Sequence, residues 1–162
     1  LVKGEYHYHG VLYIGLMLTT DGPKVIEYNV RLGDPETQVV LPRLDTDLYQ
    51  LVDAAINDQP LPAISETAEA SFGVVLASQG YPQKPIHGQK LGSFPESSEV
   101  EIDYANVTGT LSHLQGAGGR LLMVLAQAGT LQEAHDRVYA YLEKLDQPEC
   151  FYRHDIGAKA GL

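Results

Sequence analysis

Two runs rich in apolar and aromatic residues lie near the start of the chain, at residues 11–19 (VLYIGLMLT) and 24–31 (KVIEYNVR). The second run alternates apolar and polar side chains, as β-strands do, because successive strand residues point to opposite faces. Residues 20–23 separate the runs and contain Asp21-Gly22, a dipeptide favoured in hairpin turns. The pattern therefore predicts an antiparallel β-hairpin.

Helical patterns follow this hairpin. After Gly33, Asp34 has the side chain of an N-cap, and Pro35 suits the first helical position because its missing N–H is not needed there. We expect this short helix to end at Pro42 and a second helix to open at Thr46. Apolar residues recur in the second helix at helical spacing and predict a buried stripe: Leu48, Leu51, Val52, Ala55 and Ile56.

A candidate linker divides the chain into two parts. Residues 57–69 (NDQPLPAISETAE) hold two prolines and little periodicity. We place the boundary within this linker, with domains at residues 1–60 and 61–162.

The second part has the pattern of a mixed α/β domain. Residues 70–78 and 120–128 have the composition of buried strands, and residues 79–98 between them form a Gly/Pro-rich excursion. A last helix is expected from Thr130, with Glu133 completing a capping box. One face of that helix is apolar: Leu131, Ala134, Val138, Tyr141, Leu142 and Leu145. The predicted fold class is α/β (α+β), a hairpin with helices followed by a small mixed α/β domain.

Composition and charge restrict the possible partners. The 21 acidic and 11 basic residues give a formal net charge of −10, which repels nucleic-acid phosphates and anionic lipid. No apolar run approaches the roughly 20 residues that span a bilayer. We expect neither a nucleic-acid nor a membrane partner. The single cysteine, Cys150, cannot form an internal disulfide, which fits a reducing compartment and a cytoplasmic location.

Polar side chains occupy every second position of the second predicted strand, where Glu27, Asn29 and Arg31 share one face. The opposite face, expected to pack, carries Ile26, Tyr28 and Val30. A carboxylate and an amide oxygen suit Mg²⁺, which keeps waters and phosphates as its other ligands. Arg31 has the donors to hold a phosphoryl group or a carboxylate. From spacing alone, the solvated face of a half-buried hairpin explains the row equally well.

The segment around this row resembles the signature of the phosphoribosylamine–glycine ligase family, ATP-grasp enzymes of purine synthesis. It reads GPKVIEYNVRLGDPETQVVLPRL at residues 22–44. Glu-x-Asn-x-Arg fits ATP-grasp ligases and biotin-dependent carboxylases broadly, whereas GDPETQ at residues 33–38 narrows the resemblance to this family. Three further stretches resemble recurring motifs of the family's C-terminal domain: ASQGYP at 77–82, GGRLLMV at 118–124 and YRHDIGAKA at 152–160.

The resemblance implies a reaction and a set of roles. Glycine would be activated by ATP to glycyl phosphate, and the amine of 5-phosphoribosylamine would attack it, giving glycinamide ribonucleotide, ADP and phosphate. Glu27 and Asn29 match the metal-ligand positions for Mg²⁺ or Mn²⁺, and Arg31 would steady the acyl phosphate. Asp34 would receive the glycine ammonium or a ribose hydroxyl.

The resemblance also implies that this chain is a fragment. Residues 1–60 would be the C-terminal part of the ATP-grasp domain and residues 61–162 the C-terminal domain of the ligase. The absence of an initiator methionine agrees with this expectation, and the chain is expected to be inactive alone. The alternatives are a fragment of another ATP-grasp ligase or carboxylase, and a folded binding module without catalysis.

Two positions depart from the expected pattern. Many ATP-grasp proteins have a further acidic ligand on the preceding strand, where this chain has Gly15, so the metal would depend more on phosphates and water. The stretch DYANVTGT at residues 103–110 is looser than the histidine-containing form of the family. The resemblance therefore assigns that stretch no role.

A glycine-rich turn at residues 116–120 precedes the buried strand that starts at Arg120. Glycines allow backbone N–H groups to approach an anion closely, and the resemblance favours Gly118, Gly119 and Arg120 as substrate-binding residues. The alternative is a tight turn that carries an ordinary surface arginine.

Other reactive residues have simpler interpretations. For Tyr152 to Asp155 we favour an intrachain salt bridge that pins the tail. His7 and His9 share a strand face, but two ligands are too few for a stable zinc site. Cys150 lacks an obvious base and is interpreted as a small buried hydrophobic residue.

Overall fold

The computed structural model describes residues 8–162, which form two compact units. The first unit comprises the chain up to residue 37 together with residues 44–67. The second comprises residues 38–43 and 68–162. The domain bounds expected from the sequence, 1–60 and 61–162, stay a prediction.

The first unit contains the predicted hairpin. Strand β1 (Tyr13–Thr19) pairs antiparallel with β2 (Gly22–Asn29), from Tyr13 opposite Asn29 to Thr19 opposite Gly22. Gly22 adopts a φ of 95°, which the left-handed corner of the turn requires and glycine readily provides. The hairpin is confirmed, but β2 ends at Asn29, earlier than the alternating pattern suggested.

The apolar face of β2 does not pack as expected. Ile26, Tyr28 and Val30 are 61%, 64% and 67% exposed. A two-stranded sheet with short helices has too little surface to cover both of its faces, since a stable layer needs a second layer to bury its apolar side. The expected packing of these three residues is therefore wrong for this chain.

The first helix, α1 (Thr37–Val40), is followed by a 3₁₀ turn at Leu41–Arg43. The helix begins at Thr37, three residues after Asp34 and later than the opening expected there. The carbonyl of Gly33 accepts hydrogen bonds from the N–H and the hydroxyl of Thr37. Asp34 and Pro35 lie in the turn before the helix.

The second helix, α2 (Leu48–Ile56), is capped by Asp47, whose carboxylate accepts from the N–H of Tyr49 at 2.8 Å. The expected opening at Thr46 is one residue early, because the Thr46 hydroxyl instead bonds with Ala63 and Ser65. The buried stripe expected on this helix is wrong as well. Its apolar residues lie mostly at the surface, with exposures of 38% for Leu48, 46% for Val52 and 63% for Ile56.

The second unit is built on a four-stranded antiparallel sheet. Its strands are β3 (Ala70–Ser78), β4 (Glu101–Tyr104), β7 (Arg120–Ala128) and β8 (Cys150–Phe151), in the spatial order β4-β7-β3-β8. A separate hairpin joins β5 (Val107–Thr110) to β6 (His113–Gly116). The two long central strands, β3 and β7, have the bounds that their apolar composition predicted.

Helix α3 (Leu131–Leu142) covers one face of this sheet. Thr130 caps it by accepting from the N–H of Glu133 at 3.2 Å, whereas the Glu133 carboxylate pairs with Arg137 at 2.6 Å. The core between helix and sheet includes these buried side chains: Phe72, Val74, Leu76, Leu122, Val124, Ala134, Val138 and Leu142. Most of the apolar face predicted for this helix is therefore buried, although Leu131 is 39% exposed.

The side chain of Tyr139 on α3 bonds to the backbone of the C-terminal tail. The Tyr139 hydroxyl donates to the carbonyl of Arg153 at 2.8 Å and accepts from the N–H of Ile156 at 3.3 Å. Within residues 8–162, no helix combines the length and the apolar character needed to cross a membrane.

A leucine pair on α3 tests which face carries the core. Leu142→Ala removes a side chain that is 1% exposed and should lower the free energy of unfolding by about 2–5 kcal/mol. The matched variant Leu131→Ala, at a position 39% exposed, should cost below about 1 kcal/mol. Urea unfolding of the 162-residue chain measures both, and equal losses would contradict this placement of the core.

The two units should also differ in local stability. The hairpin of β1 and β2 exposes apolar side chains, whereas β7 is almost wholly buried. Amide hydrogen exchange should therefore be faster at residues 13–29 than at residues 120–142, because exchange follows the free energy of local opening. Equal protection of the two regions would show that the hairpin is held more firmly than its exposure indicates.

Candidate functional site

The carboxylate of Glu27 and the amide of Asn29 lie side by side on β2, as strand alternation predicted. The Asn29 Nδ2 donates to Glu27 Oε1 at 3.0 Å. The residue opposite Glu27 in the hairpin is Gly15, where an added Cβ would lie 3.1 Å from the Glu27 Cγ. Gly15 stands where many ATP-grasp proteins have an acidic ligand, and here it leaves room for the Glu27 side chain.

This pair fits part of a site for a hard divalent cation. Glu27 is exposed, and its contact with the Asn29 NH₂ leaves the amide oxygen of Asn29 as a further oxygen ligand. Among the described residues, no group of three or more His, Cys, Asp or Glu side chains is arranged to hold a metal. Two protein oxygens suit a cation whose remaining ligands are phosphates and waters, as is usual for Mg²⁺.

Arg31 lies outside the strand that carries this pair. Because β2 ends at Asn29, Arg31 falls in the bend that follows, and its Nη1 donates to the carbonyl of Leu32 at 2.9 Å. The expectation that Arg31 continues the row by strand alternation is wrong. Its guanidinium is nevertheless exposed at the surface of the unit.

The turn at residues 33–37 explains why glycine and threonine frame this motif. A Cβ on Gly33 would lie 2.4 Å from Glu36 Oε2, so the glycine allows the Glu36 carboxylate to fold back against the chain. The Gly33 carbonyl accepts two hydrogen bonds from Thr37, which close the turn. Asp34 is exposed in this turn, next to the half-buried Glu36, a carboxylate that the sequence analysis did not single out.

The glycine loop of the second unit is fastened by its backbone. The N–H of Ala117 donates to the carbonyl of Asn106 at 2.8 Å, and the carbonyl of Gly119 accepts from the N–H of Ser78 at 2.8 Å. The Asn106 Nδ2 donates to the carbonyl of Arg120 at 2.9 Å. Among residues 8–162, none of these bonds uses the N–H groups of Gly118 or Gly119.

Close packing explains the two central glycines of this loop. A Cβ on Gly118 would lie 2.7 Å from the Asn106 Cβ, and one on Gly119 would lie 2.1 Å from the Tyr81 ring. Asn106 and Tyr81 thus fill the space that side chains at positions 118 and 119 would need. Both residues lie in stretches quoted in the sequence analysis, but no local pattern predicts these two contacts, because they join positions distant in the chain.

The remaining candidates have structural roles. Arg153 forms a two-pronged pair with Asp155 at 2.8 and 2.7 Å, so the predicted salt bridge is present. It joins two exposed residues of the tail itself, and the part expected of it in pinning the tail is therefore wrong. His9 contacts Asp58 at 2.8 Å, whereas His7 lies outside the described residues. Burial raises the pKa of the Cys150 thiol to about 11, so this thiol is protonated near neutral pH and is a poor nucleophile.

A cavity of about 660 Å³ lies elsewhere in the second unit. Its lining includes Phe94, Tyr104 and Tyr141, and none of the predicted site residues borders it. The cavity and the predicted site residues are therefore in different places. We favour the predicted residues as the functional site, because the cavity lacks a convergent set of charged groups.

Two family models match this chain. The family model described as phosphoribosylglycinamide synthetase, C domain, matches residues 71–159, and the ATP-grasp (A) domain of the same synthetase matches residues 1–37. The chain thus combines part of an ATP-grasp domain with the C domain that accompanies it. It belongs to the phosphoribosylglycinamide synthetase family, as the sequence resemblance predicted.

Individual relatives agree with this assignment. The phosphoribosylamine–glycine ligase of Listeria innocua is 44% identical over 165 residues, which cover 99% of this chain and 39% of that protein. The ligase of Halalkalibacterium halodurans is 43% identical, with 99% and 37% covered. The crystal structure of the Thermotoga maritima ligase matches with a TM-score of 0.75 at 33% identity, covering 89% of this chain and 36% of the other. The chain thus spans about two fifths of the length of these relatives. The structural match confirms the predicted fold class.

Substitution of single glycines tests the packing of the loop. Gly119→Ala should force the Tyr81 ring to move and lower the melting temperature by about 2–10 °C, because overpacking costs about 1–3 kcal/mol. Gly129→Ala is the matched control, since its nearest contact would be 3.9 Å away. Adding Tyr81→Ala to Gly119→Ala should restore part of the loss. Equal melting temperatures for the two glycine variants would contradict the close approach of Tyr81.

Proposed function

We propose that this chain is the C-terminal part of a phosphoribosylamine–glycine ligase that joins glycine to 5-phosphoribosylamine at the expense of ATP. The proposal depends above all on the pairing of Glu27 with Asn29 on β2, directly ahead of the Gly33 to Thr37 turn. Both features fall within the residues matched by the ATP-grasp domain. Family membership and the names of the relatives support the same reaction.

The proposed reaction has two steps. A carboxylate oxygen of glycine attacks the γ-phosphorus of ATP, the bond to the bridging oxygen breaks, and ADP leaves with the electron pair. The amine of 5-phosphoribosylamine then attacks the carbonyl carbon of glycyl phosphate, phosphate leaves, and the nitrogen loses a proton. The products are glycinamide ribonucleotide, ADP and phosphate.

Glu27 and Asn29 are the proposed ligands of Mg²⁺ or Mn²⁺. The bound cation would offset negative charge on the phosphates of ATP during transfer. The hydrogen bond between the two side chains holds the Asn29 amide in one orientation, so both oxygen ligands are set before the substrates arrive. Gly15 keeps the space beside Glu27 open.

Arg31 and Asp34 are proposed to contact the reacting groups. Arg31 is exposed and uses Nη1 to bond with the adjacent Leu32 carbonyl, an arrangement that restrains the guanidinium while its other N–H groups face an acyl phosphate. The carboxylate of Asp34 has the charge to receive the glycine ammonium, and it also suits a ribose hydroxyl. These roles rest on the resemblance and on the exposure of both residues.

Gly118, Gly119 and Arg120 are proposed to bind an anionic group of a substrate. The N–H groups of consecutive glycines form a positive concavity when the protein leaves them without acceptors. The described hydrogen bonds of this loop use the Ala117 N–H and the carbonyls of Gly119 and Arg120. This supports a role of the Gly118 and Gly119 N–H groups in binding the anion.

A cytoplasmic location, expected from the single cysteine, is part of the proposal.

The two alternatives differ in their consequences. Membership of the synthetase family argues against another ATP-grasp ligase or a carboxylase. If this chain were only a binding module, substitution of Glu27 or Asn29 would leave the turnover of the full-length ligase unchanged.

Variants of β2 in the full-length ligase test the metal ligands. Glu27→Gln removes an anionic oxygen and should lower kcat by about a hundredfold, equivalent to roughly 3 kcal/mol, and raise the Mg²⁺ requirement. Asn29→Ala should cost less, because water replaces a neutral ligand. The measurement is steady-state rate against Mg²⁺ concentration, with thermal melts to check folding.

Tyr28→Phe is the control for this series, because residue 28 points to the opposite face of the strand. It removes a hydroxyl from a side chain that is 64% exposed and should change turnover by less than about twofold. Near-normal turnover in Glu27→Gln, or a larger loss in Tyr28→Phe, would show that the metal site is misplaced.

The 162-residue chain alone should not catalyse ligation, because ATP-grasp chemistry encloses the nucleotide between two lobes and the chain matches only part of one. Glycine-dependent ADP release is the assay, with the full-length enzyme as the positive control. Release by the isolated chain at a comparable rate would overturn this expectation.

A further inference from the structure

We propose that Asn106 is a positioning residue for the anion site at Gly118, Gly119 and Arg120, an inference that rests on the proposed function of that loop. Asn106 lies between β4 and β5, in the stretch at residues 103–110 to which the family resemblance assigns no role. Its contacts give that stretch a specific task.

Asn106 holds both ends of the glycine loop. Its backbone carbonyl accepts from the N–H of Ala117 at 2.8 Å, which fixes the start of the loop. At the other end, the carbonyl of Arg120 accepts twice from Asn106, from Nδ2 at 2.9 Å and from the backbone N–H at 3.3 Å. One residue therefore sets the span between residues 117 and 120.

The same side chain also fills the space over Gly118. An added Cβ there would lie 2.7 Å from the Asn106 Cβ and 2.8 Å from its Cγ, so the two residues are in close contact. Tyr81 makes the corresponding contact with Gly119, and the N–H of Ser78 holds the Gly119 carbonyl at 2.8 Å. The loop is thus restrained at each of its residues.

These restraints matter because backbone N–H groups bind an anion well only when they are held in place beforehand. Asn106 uses the N–H of Ala117 and the carbonyl of Arg120, and leaves the N–H groups of Gly118 and Gly119 to the anion. Asn106 acts through the loop, without touching the substrate.

Substitution at residue 106 separates the hydrogen bond from the packing. Asn106→Ala keeps the Cβ and the backbone bonds but loses the donor to the Arg120 carbonyl. Asn106→Asp keeps the shape and replaces the donor with an oxygen, which repels that carbonyl. The aspartate variant should therefore be at least as impaired as the alanine variant.

The test is steady-state kinetics of the full-length ligase with ATP, glycine and 5-phosphoribosylamine varied in turn. For Asn106→Ala, KM should rise roughly threefold to tenfold for a phosphate-bearing substrate, as the loss of one hydrogen bond predicts, while KM for glycine changes less than about twofold. Gln132→Ala is the control, because it removes an exposed amide hydrogen bond of 2.8 Å on α3 and should alter no KM.

A double variant asks whether Asn106 acts through the loop that carries Arg120. In the Arg120→Ala background, Asn106→Ala should raise the same KM by a smaller factor than in the wild type, since the two residues serve one site and their effects are not additive. Additive effects would contradict action through the loop.

The outcomes separate this inference from the proposed function. Unchanged KM values in both Asn106 variants, with an impaired Arg120→Ala enzyme, would overturn the role of Asn106 and leave the proposed function standing. An equal rise of every KM together with a lowered melting temperature would reduce Asn106 to a purely structural residue and also overturn the inference. Normal turnover in both Arg120→Ala and Glu27→Gln would overturn the proposed function itself, and this inference with it.

Discussion

The antiparallel pairing of β3 with β7 is the interaction on which the second unit depends. Eight registered residue pairs join the two strands, from Ala70 opposite Ala128 to Ala77 opposite Arg120. Alternate side chains of both strands are buried beneath α3, so the pairing and the core stabilise each other. A register shift between Leu76 and Ala77 marks the end of the ladder where the glycine loop enters β7, and there Ser78 holds Gly119. The position of the loop therefore follows from the register of the core.

The first unit differs from the second, because its proposed metal ligands lie on a hairpin with little cover. Glu27 and Asn29 are ordered by one hydrogen bond and by the space that Gly15 leaves, rather than by a surrounding core. Exposed apolar side chains accompany them on β1 and β2. Exposed oxygen ligands suit a cation that arrives with phosphates, since such a cation needs only part of its shell from protein.

Hydrophobic periodicity predicted the elements that a core defines. Strands β3 and β7 and helix α3 follow from apolar runs and from the Thr130 cap, because local pattern and burial agree there. The hairpin of β1 and β2 was predicted from its turn and its alternating pattern, although its apolar side chains are exposed. The prediction of a buried stripe on α2 was wrong, because periodicity shows which face of a helix is apolar but not whether another element covers that face. The placement of Glu27 beside Asn29 could be predicted from strand alternation. The contacts of Tyr81 and Asn106 with the glycine loop could not, since they join residues distant in the chain and no local pattern encodes them.

The proposed binding of a divalent cation by Glu27 and Asn29 is best measured as Mn²⁺ affinity rather than as rate. Electron paramagnetic resonance counts free Mn²⁺ during titration of the full-length ligase with ATP, for the wild type, Glu27→Gln and Tyr28→Phe. We expect Glu27→Gln to weaken Mn²⁺ binding by about tenfold or more, equivalent to roughly 1.4 kcal/mol or more, and Tyr28→Phe to leave it unchanged. Equal affinity in the wild type and Glu27→Gln would contradict the assignment of the metal to this strand.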